Sequence, residues 1–522
     1  MVVAAINKYF TPIANTFSNF ITHLEKAQTP LINYFITFAC ILTLRNFLEG
    51  FSHNGLVNLF FINAPGGFLT SDFIHFGLFY ALVALLIILA LHCFTQEKIQ
   101  TIIKVVVPGF ILILCVPIID LVVSKGMGHH ISYVFPQTKH KLLYYYFTFF
   151  GSLQNISFGM RLEIFMALLC ACFYLQTKQK NVFKTLFGLI IIYSSIFFVI
   201  TTPYVIKYFA EILHINIPTT SYVFVNYFLL LLFPSGMSIS FLANKRVFIA
   251  LAKDLRWLRL LHFELMLVLG IALTVKQFNI LLLINFIFLS ISILFFWLSA
   301  VMINNIYDQT IDSISNPKRP LVTKEIALKH YTNIATTILF CSLAYALAVN
   351  VKSMFIIGSA ILAYYIYSAP PLRLKRIPLF SKAIISSASL AFILLSYINA
   401  HGNLQEFPKS FIWIFLMGFT LTANFIDIKD YLGDKAQGIM TLPVLLTPPL
   451  AKLFIGGAFI LTSLAFHFYL QNLFLLPLLF VAGILGFYFI NQKNYQEWRV
   501  LCIYLLTITG LIVYLLTNKL CN

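Results

Sequence analysis

Runs of about 20 apolar residues recur along this chain, and a helix needs that length to cross a bilayer. No other feature restricts the fold as much. Inside hydrocarbon no water satisfies backbone N–H and C=O groups, so a spanning segment must be a helix or part of a closed barrel. Barrel strands read as short alternating segments, and these are absent. The 522 residues are 60% hydrophobic and 10% charged, a balance outside that of soluble globular proteins. The expected class is an all-α polytopic membrane protein.

Six spans are expected in the first part, at 30–51, 72–94, 101–124, 160–177, 184–208 and 221–243. Nine are expected in the second, at 260–275, 279–307, 331–349, 353–368, 380–400, 410–428, 446–468, 472–491 and 500–517. Segment 142–155 is apolar but short, and reads as interfacial or re-entrant. Between the two parts, NKRVFIALAKDLRWLR is basic and amphipathic, as in a helix lying on a membrane surface. The expected organisation is therefore an N-terminal membrane domain over 1–243, a cytoplasmic connector over 244–258 and a second membrane domain over 259–522. MVVAAINKYFTPIANTF lacks the charged, apolar and small-residue order of a cleavable signal.

The net charge of +18 is scattered between spans, which reads as positive-inside topology and not as nucleic-acid binding. In the second part alternate loops carry Lys253, Arg256 and Arg259, then Lys318, Arg319 and Lys324, then Arg373, Lys375 and Arg376. The opposite loops carry Lys276, Lys352, Lys409 and Lys519. This bias predicts a cytoplasmic N-terminus, in an inner or plasma membrane. The eight cysteines mostly lie in apolar spans without a CxxC pair, as free thiols do.

Only 17 residues are acidic, yet two short acidic runs end apolar segments on the predicted cytoplasmic side. Asn304, Asp308 and Asp312 stand in NNIYDQTID at i, i+4, i+8; Asp427, Asp430 and Asp434 stand in DIKDYLGD at i, i+3, i+7. Either spacing puts its residues on one helical face. Carboxylates beside hydrocarbon need partners. A hard divalent cation such as Mg²⁺ suits these oxygens and bridges them to phosphate. Arg319 in NPKRPL and Lys375 in YSAPPLRLKR supply positive charge for a diphosphate. A bland alternative is solvated acids paired with Lys318 and Lys435.

In their order and content these motifs resemble those of the UbiA superfamily of intramembrane prenyltransferases. NNIYDQTID with NPKRPL resembles the first acidic motif and its basic tail, YSAPPLRLKR the Tyr-Ser-x-Pro-Pro segment, and DIKDYLGDKAQGIMTLP the second acidic motif. The resemblance covers about 255–522. It implies a nine-helix bundle and Mg²⁺-dependent transfer from a prenyl diphosphate to a lipophilic or aromatic acceptor at the membrane lipid. It further implies that Asn304, Asp308, Asp312, Asp430 and Asp434 hold metal and diphosphate, and that Arg319 and Lys375 contact diphosphate. Tyr367 would stand near the reacting carbon, with Asp427 as a further ligand or a base. The tail departs from the common Ser-Gly continuation, reading Val322, Thr323 and Lys324.

Residues 1–243 carry ionisable groups in or beside apolar spans: Arg45 and Glu49, Asp120, and Arg161 and Glu163. Arg45 and Glu49 are i, i+4 and suited to pair. The other expectation is a second polar cavity for a lipid or acceptor headgroup. A membrane transporter of a lipid or small anionic substrate is the rival to an enzyme. Transport sites, however, usually lie at the bilayer midplane, whereas the acidic runs lie at span ends.

Overall fold

The structure, a computed structural model, describes residues 16–58, 73–126, 141–151, 153, 156–179, 181–212, 221–274, 279–401, 403–436 and 438–521. Residues 1–15, including Lys8, lie outside the described residues, as does Lys276. The chain divides into two compact units, Met1–Lys245 and Arg246–Asn522.

In the first unit a helix over 16–26 (α1) precedes α2 (Leu31–Asn58), α3 (Phe73–Thr95), α4 (Ile99–Gly109) and α5 (Cys115–Val123). A 3₁₀ turn over Phe110–Leu114 joins α4 to α5 and follows Pro108, which lacks the N–H an α-helix needs there. The short α6 (Lys141–Phe147) falls in the segment expected to be interfacial. After it come α7 (Phe158–Gln179), α8 (Val182–Ile212) and α9 (Ser221–Ala243). The core gathers Leu82, Ile102, Leu175, Val199 and Phe228, each almost fully buried.

The second unit begins with the rest of the amphipathic α10 (Lys245–Asp254), whose Ala250, Val247 and Leu251 pack with Met302 and Tyr331. The connector helix thus lies against its own bundle. There follow α11 (Trp257–Ala272), α12 (Ile280–Tyr307), α13 (Gln309–Ser315), α14 (Leu328–Val349), α15 (Val351–Ser368) and α16 (Phe380–His401). Then come α17 (Lys409–Thr422), α18 (Tyr431–Ala436), α19 (Leu442–Leu446), α20 (Pro448–Leu470), α21 (Leu476–Asn491) and α22 (Glu497–Cys521). The α11–α16 crossing is close: a Cβ on Gly270 would stand 2.1 Å from the Ile393 carbonyl. Only glycine admits that backbone contact.

Among the described residues, thirteen helices are long and apolar enough to span a membrane. The chain is an integral multi-pass membrane protein with an all-helical fold. The described cysteine side chains are free thiols.

Candidate active site

The first acidic run does not continue one unbroken helix. α12 stops at Tyr307, and Asp308 forms the joint to α13. The hydrogen bonds Asp308 N to Asn304 O (3.0 Å) and Asp312 N to Asp308 O (2.8 Å) still carry the i→i−4 pattern through the joint. Asn304, Asp308 and Asp312 therefore keep nearly the helical spacing their sequence implies. The second run opens in a 3₁₀ turn over Ala423–Ile428, so Asp427 and Asp430 are linked i→i+3, by Asp430 N to Asp427 O at 3.1 Å. Asp434 follows on α18.

Although far apart in the chain, the runs meet where α13 packs on α18. Gly433 allows the approach, since a Cβ there would come within 2.3 Å of Ser315 Oγ and 3.4 Å of Ile311 Cγ2. Among the described residues no three His, Cys, Asp or Glu side chains gather closely enough to hold a metal ion. Several of the carboxylates are instead held by bases. Asp308 accepts from Arg373 (2.9 Å) and from Lys375. Lys382 donates to Asp427 at 2.6 Å, and Arg319 pairs with Asp312 at 3.2 Å.

Arg373 and Lys382 were not among the sequence candidates. Arg373 sits two residues from Lys375 in YSAPPLRLKR, so the motif held its signal. Lys382 opens an apolar span and looks like an ordinary flanking lysine until α16 carries it, 2% exposed, to Asp427. Asn305, next to the expected Asn304, is a further hub. Its amide donates to Asp254 and, at 3.0 Å, to the Tyr331 hydroxyl, while its oxygen accepts from Arg256 (3.1 Å) and Arg319. Both Arg256 and Arg373 adopt positive φ, 55° and 43°, the left-handed region that non-glycine residues enter at some cost and that recurs at functional sites.

Burial and crowding set the acidities. Asp434 is pushed up to about 7, first by burial and then by the neighbouring charges of Asp427 and Asp430, against the pull of Lys382 and Lys375. Asp312 is pushed up to about 6 by burial, a rise that Arg319 opposes. Asp430 rises for the same first reason. Burial lowers Lys375, although Asp308 pulls the other way.

Next to this polar cluster lies a chamber. Arg256, Arg259, Asn304 and Tyr367 give it a polar side, and Trp297 and Phe419 belong to its apolar wall. Tyr367 stands close enough to Lys382, Asp427 and Asp308 to feel their charges. Buried His262, also in the wall, is bridged to Ser389 (2.8 Å) and Tyr504 (2.9 Å). Glu497 at the start of α22 ties Arg259 to Lys429. Neither His262 nor Glu497 carries a motif signal in the sequence.

A membrane-embedded bundle with paired acidic runs, clustered bases and an adjoining aromatic chamber defines a class: a polytopic membrane protein with a charged cluster beside an apolar chamber. Residues 265–508 match the model of the UbiA prenyltransferase family. Among relatives, digeranylgeranylglyceryl phosphate synthase of Sulfurisphaera tokodaii is 28% identical over 152 residues, 27% of this chain and 51% of that protein. The synthase of the same name from Sulfolobus acidocaldarius is 27% identical, over 38% of this chain and 71% of its own. Chlorophyll synthase of Oryza sativa subsp. japonica is 26% identical, over 32% and 46%. The chain thus spans about half the length of the first of these relatives. A structure of a UbiA homologue from Archaeoglobus fulgidus bound to GPP and Mg2+ aligns over 52% of this chain and 100% of its own, at 20% identity and a TM-score of 0.43.

Proposed function

We propose that the C-terminal unit transfers a prenyl group from a prenyl diphosphate to a membrane-associated acceptor, aromatic or lipid-like, in the presence of Mg²⁺. The observation that carries this reading is the meeting of the two acidic runs at α13 and α18. Bases from the segment after α15 and from α16 stand among them, beside an aromatic chamber.

In chemistry the donor set suits a hard cation, although in this arrangement bases hold several of its carboxylates. Burial and two neighbouring carboxylates disfavour the charge of Asp434, and Asp312 Oδ2 is buried without a hydrogen-bond partner. Added positive charge relieves both. Asn304, Asp308, Asp312, Asp430 and Asp434 would hold Mg²⁺, which when bound neutralises the diphosphate oxygens and stabilises them as leaving groups. Lys375, Arg373 and Arg319 exchange their carboxylate partners for the diphosphate and stabilise the charge that develops as its carbon–oxygen bond ionises. The aromatic wall takes the isoprenoid tail and keeps water from the allylic cation. Tyr367 presents its ring and hydroxyl near that carbon. Asp427, oriented by Lys382, takes up the proton the acceptor releases.

The basic loops support a topology with this site and the N-terminus on the cytoplasmic side. The relatives are named for a glyceryl phosphate product and for chlorophyll, so the acceptor is carried here only as a class. The test is the mass of the product formed when membranes containing the protein are incubated with a prenyl diphosphate and candidate acceptors. A covalent prenyl adduct supports the reading. Uptake into proteoliposomes without any adduct would instead favour a transporter.

A further inference from the structure

The N-terminal unit holds a cavity of about 320 Å³ between α1, α3, α4, α7 and α8. That lies within the range of small-molecule pockets, about 300–1,000 Å³. Its wall is apolar, with Val83, Ile87, Ile164 and Ala171 among the lining residues, but Tyr80 and Glu163 also face it. Polar groups stand behind these two. Arg45, 1% exposed, pairs with Glu49 at 3.2 Å and lays its guanidinium 5.1 Å over the Tyr80 ring. Asp120 accepts from Gly159 N at 2.9 Å through Oδ1, while Asp120 Oδ2 and Arg45 Nε are buried without a hydrogen-bond partner. Glu163 lies within electrostatic reach of Arg45, Glu49 and Asp120.

Intramembrane ionisable groups are costly and mark sites, and nothing in the proposed transfer reaction uses these. We propose that this cavity binds a long-chain neutral lipid alcohol, its hydroxyl at Tyr80 and Glu163 and its tail along the apolar wall. A hydroxyl both donates and accepts, and a carboxyl and a phenol offer both partners. An anionic head meets the Glu163 carboxyl in the cavity wall and is disfavoured. A bare hydrocarbon leaves the polar end unsatisfied.

The experiment uses the full-length protein in lipid nanodiscs with a photoactivatable long-chain alcohol, and the cross-linked peptides are mapped by mass spectrometry. Labelling is expected on α7 near Ile164 and Ala171. Unlabelled alcohol of the same length is expected to compete it away, and the corresponding alkyl phosphate or methyl ether to compete at least about tenfold less well, the loss expected for one hydrogen bond to a charged or strongly polar group. Glu163→Leu is expected to weaken labelling by a similar factor. Ala167→Trp, which narrows the chamber but keeps every charged group, is expected to abolish it, and this second variant guards against a folding defect in the first. Labelling spread evenly over lipid-facing helices, equal competition by the phosphate, or labelling unchanged in both variants would each overturn the proposal.

Discussion

Replacing Lys382 with Met leaves Asp427 in its place beside the chamber without the ammonium group that holds it. At 2.6 Å and an effective dielectric constant near 20, the attraction between the two charges is about 6 kcal/mol. Desolvation offsets much of that in the intact pair, but not when one partner is removed. Lys382 is 2% exposed and Asp427 12% by side chain, so the remaining charge has little water to turn to. Breaking a buried pair from one side costs about 3–5 kcal/mol, and Lys382→Met is expected in that range. Asp427→Asn is expected to cost somewhat less, because the amide still accepts from Lys382. The double variant is expected to be at least about 2 kcal/mol more stable than the sum of the single effects, since it strands no charge. The four tryptophans, Trp257, Trp297, Trp413 and Trp498, all lie in the second unit. Tryptophan fluorescence during denaturant unfolding in detergent therefore reads this unit alone. Additivity to within about 0.5 kcal/mol would refute the pairing.

Protons compete with cation at the carboxylates. With Asp434 pushed up to about 7 and Asp312 to about 6, transfer at limiting Mg²⁺ is expected to fall as pH drops from 7.5 to 5.5, and excess Mg²⁺ to move the midpoint to lower pH. Stability of the ligand-free protein runs the other way. Folded-state values above the unfolded carboxylate range of about 4 give a contribution present at low pH and lost as pH rises through 6 to 7. A pH–rate series at two Mg²⁺ concentrations, with unfolding curves at the same pH values, checks both signs. Gly433→Val, which forces α13 and α18 apart at Ser315 and Ile311, is expected to raise the Mg²⁺ concentration for half-maximal activity at least about tenfold. Gly270→Ala places a Cβ against the Ile393 carbonyl and is expected to cost about 1–3 kcal/mol or more, seen as a lower denaturant midpoint with the Mg²⁺ requirement unchanged.

Hydropathy and basic loops made the spans legible because the bilayer imposes one length and one backbone solution. The i, i+4 spacing of Arg45 and Glu49 announced their ion pair, found at 3.2 Å. Local spacing likewise announced the two acidic runs. It did not announce the joint at Asp308 or the 3₁₀ turn before Lys429, since i→i+3 and i→i+4 linkage keep similar residues on a face. Arg161 had no legible partner, because it binds backbone carbonyls of Phe149, Gly151 and Leu153, and carbonyls leave no residue signature. Lys382, Asn305 and Glu497 were hidden for a tertiary reason. Each acquires its role from helices distant in the chain, and each has an ordinary explanation in its own segment.

The most direct test of the central claim is transfer from a labelled prenyl diphosphate in membranes carrying the intact chain, Asp308→Ala or Asp430→Ala, with Mg²⁺ and with chelator. Labelled lipophilic product is expected only from the intact chain with Mg²⁺. Metal-dependent product at the intact rate from either variant, or undiminished product under chelation, would contradict the account.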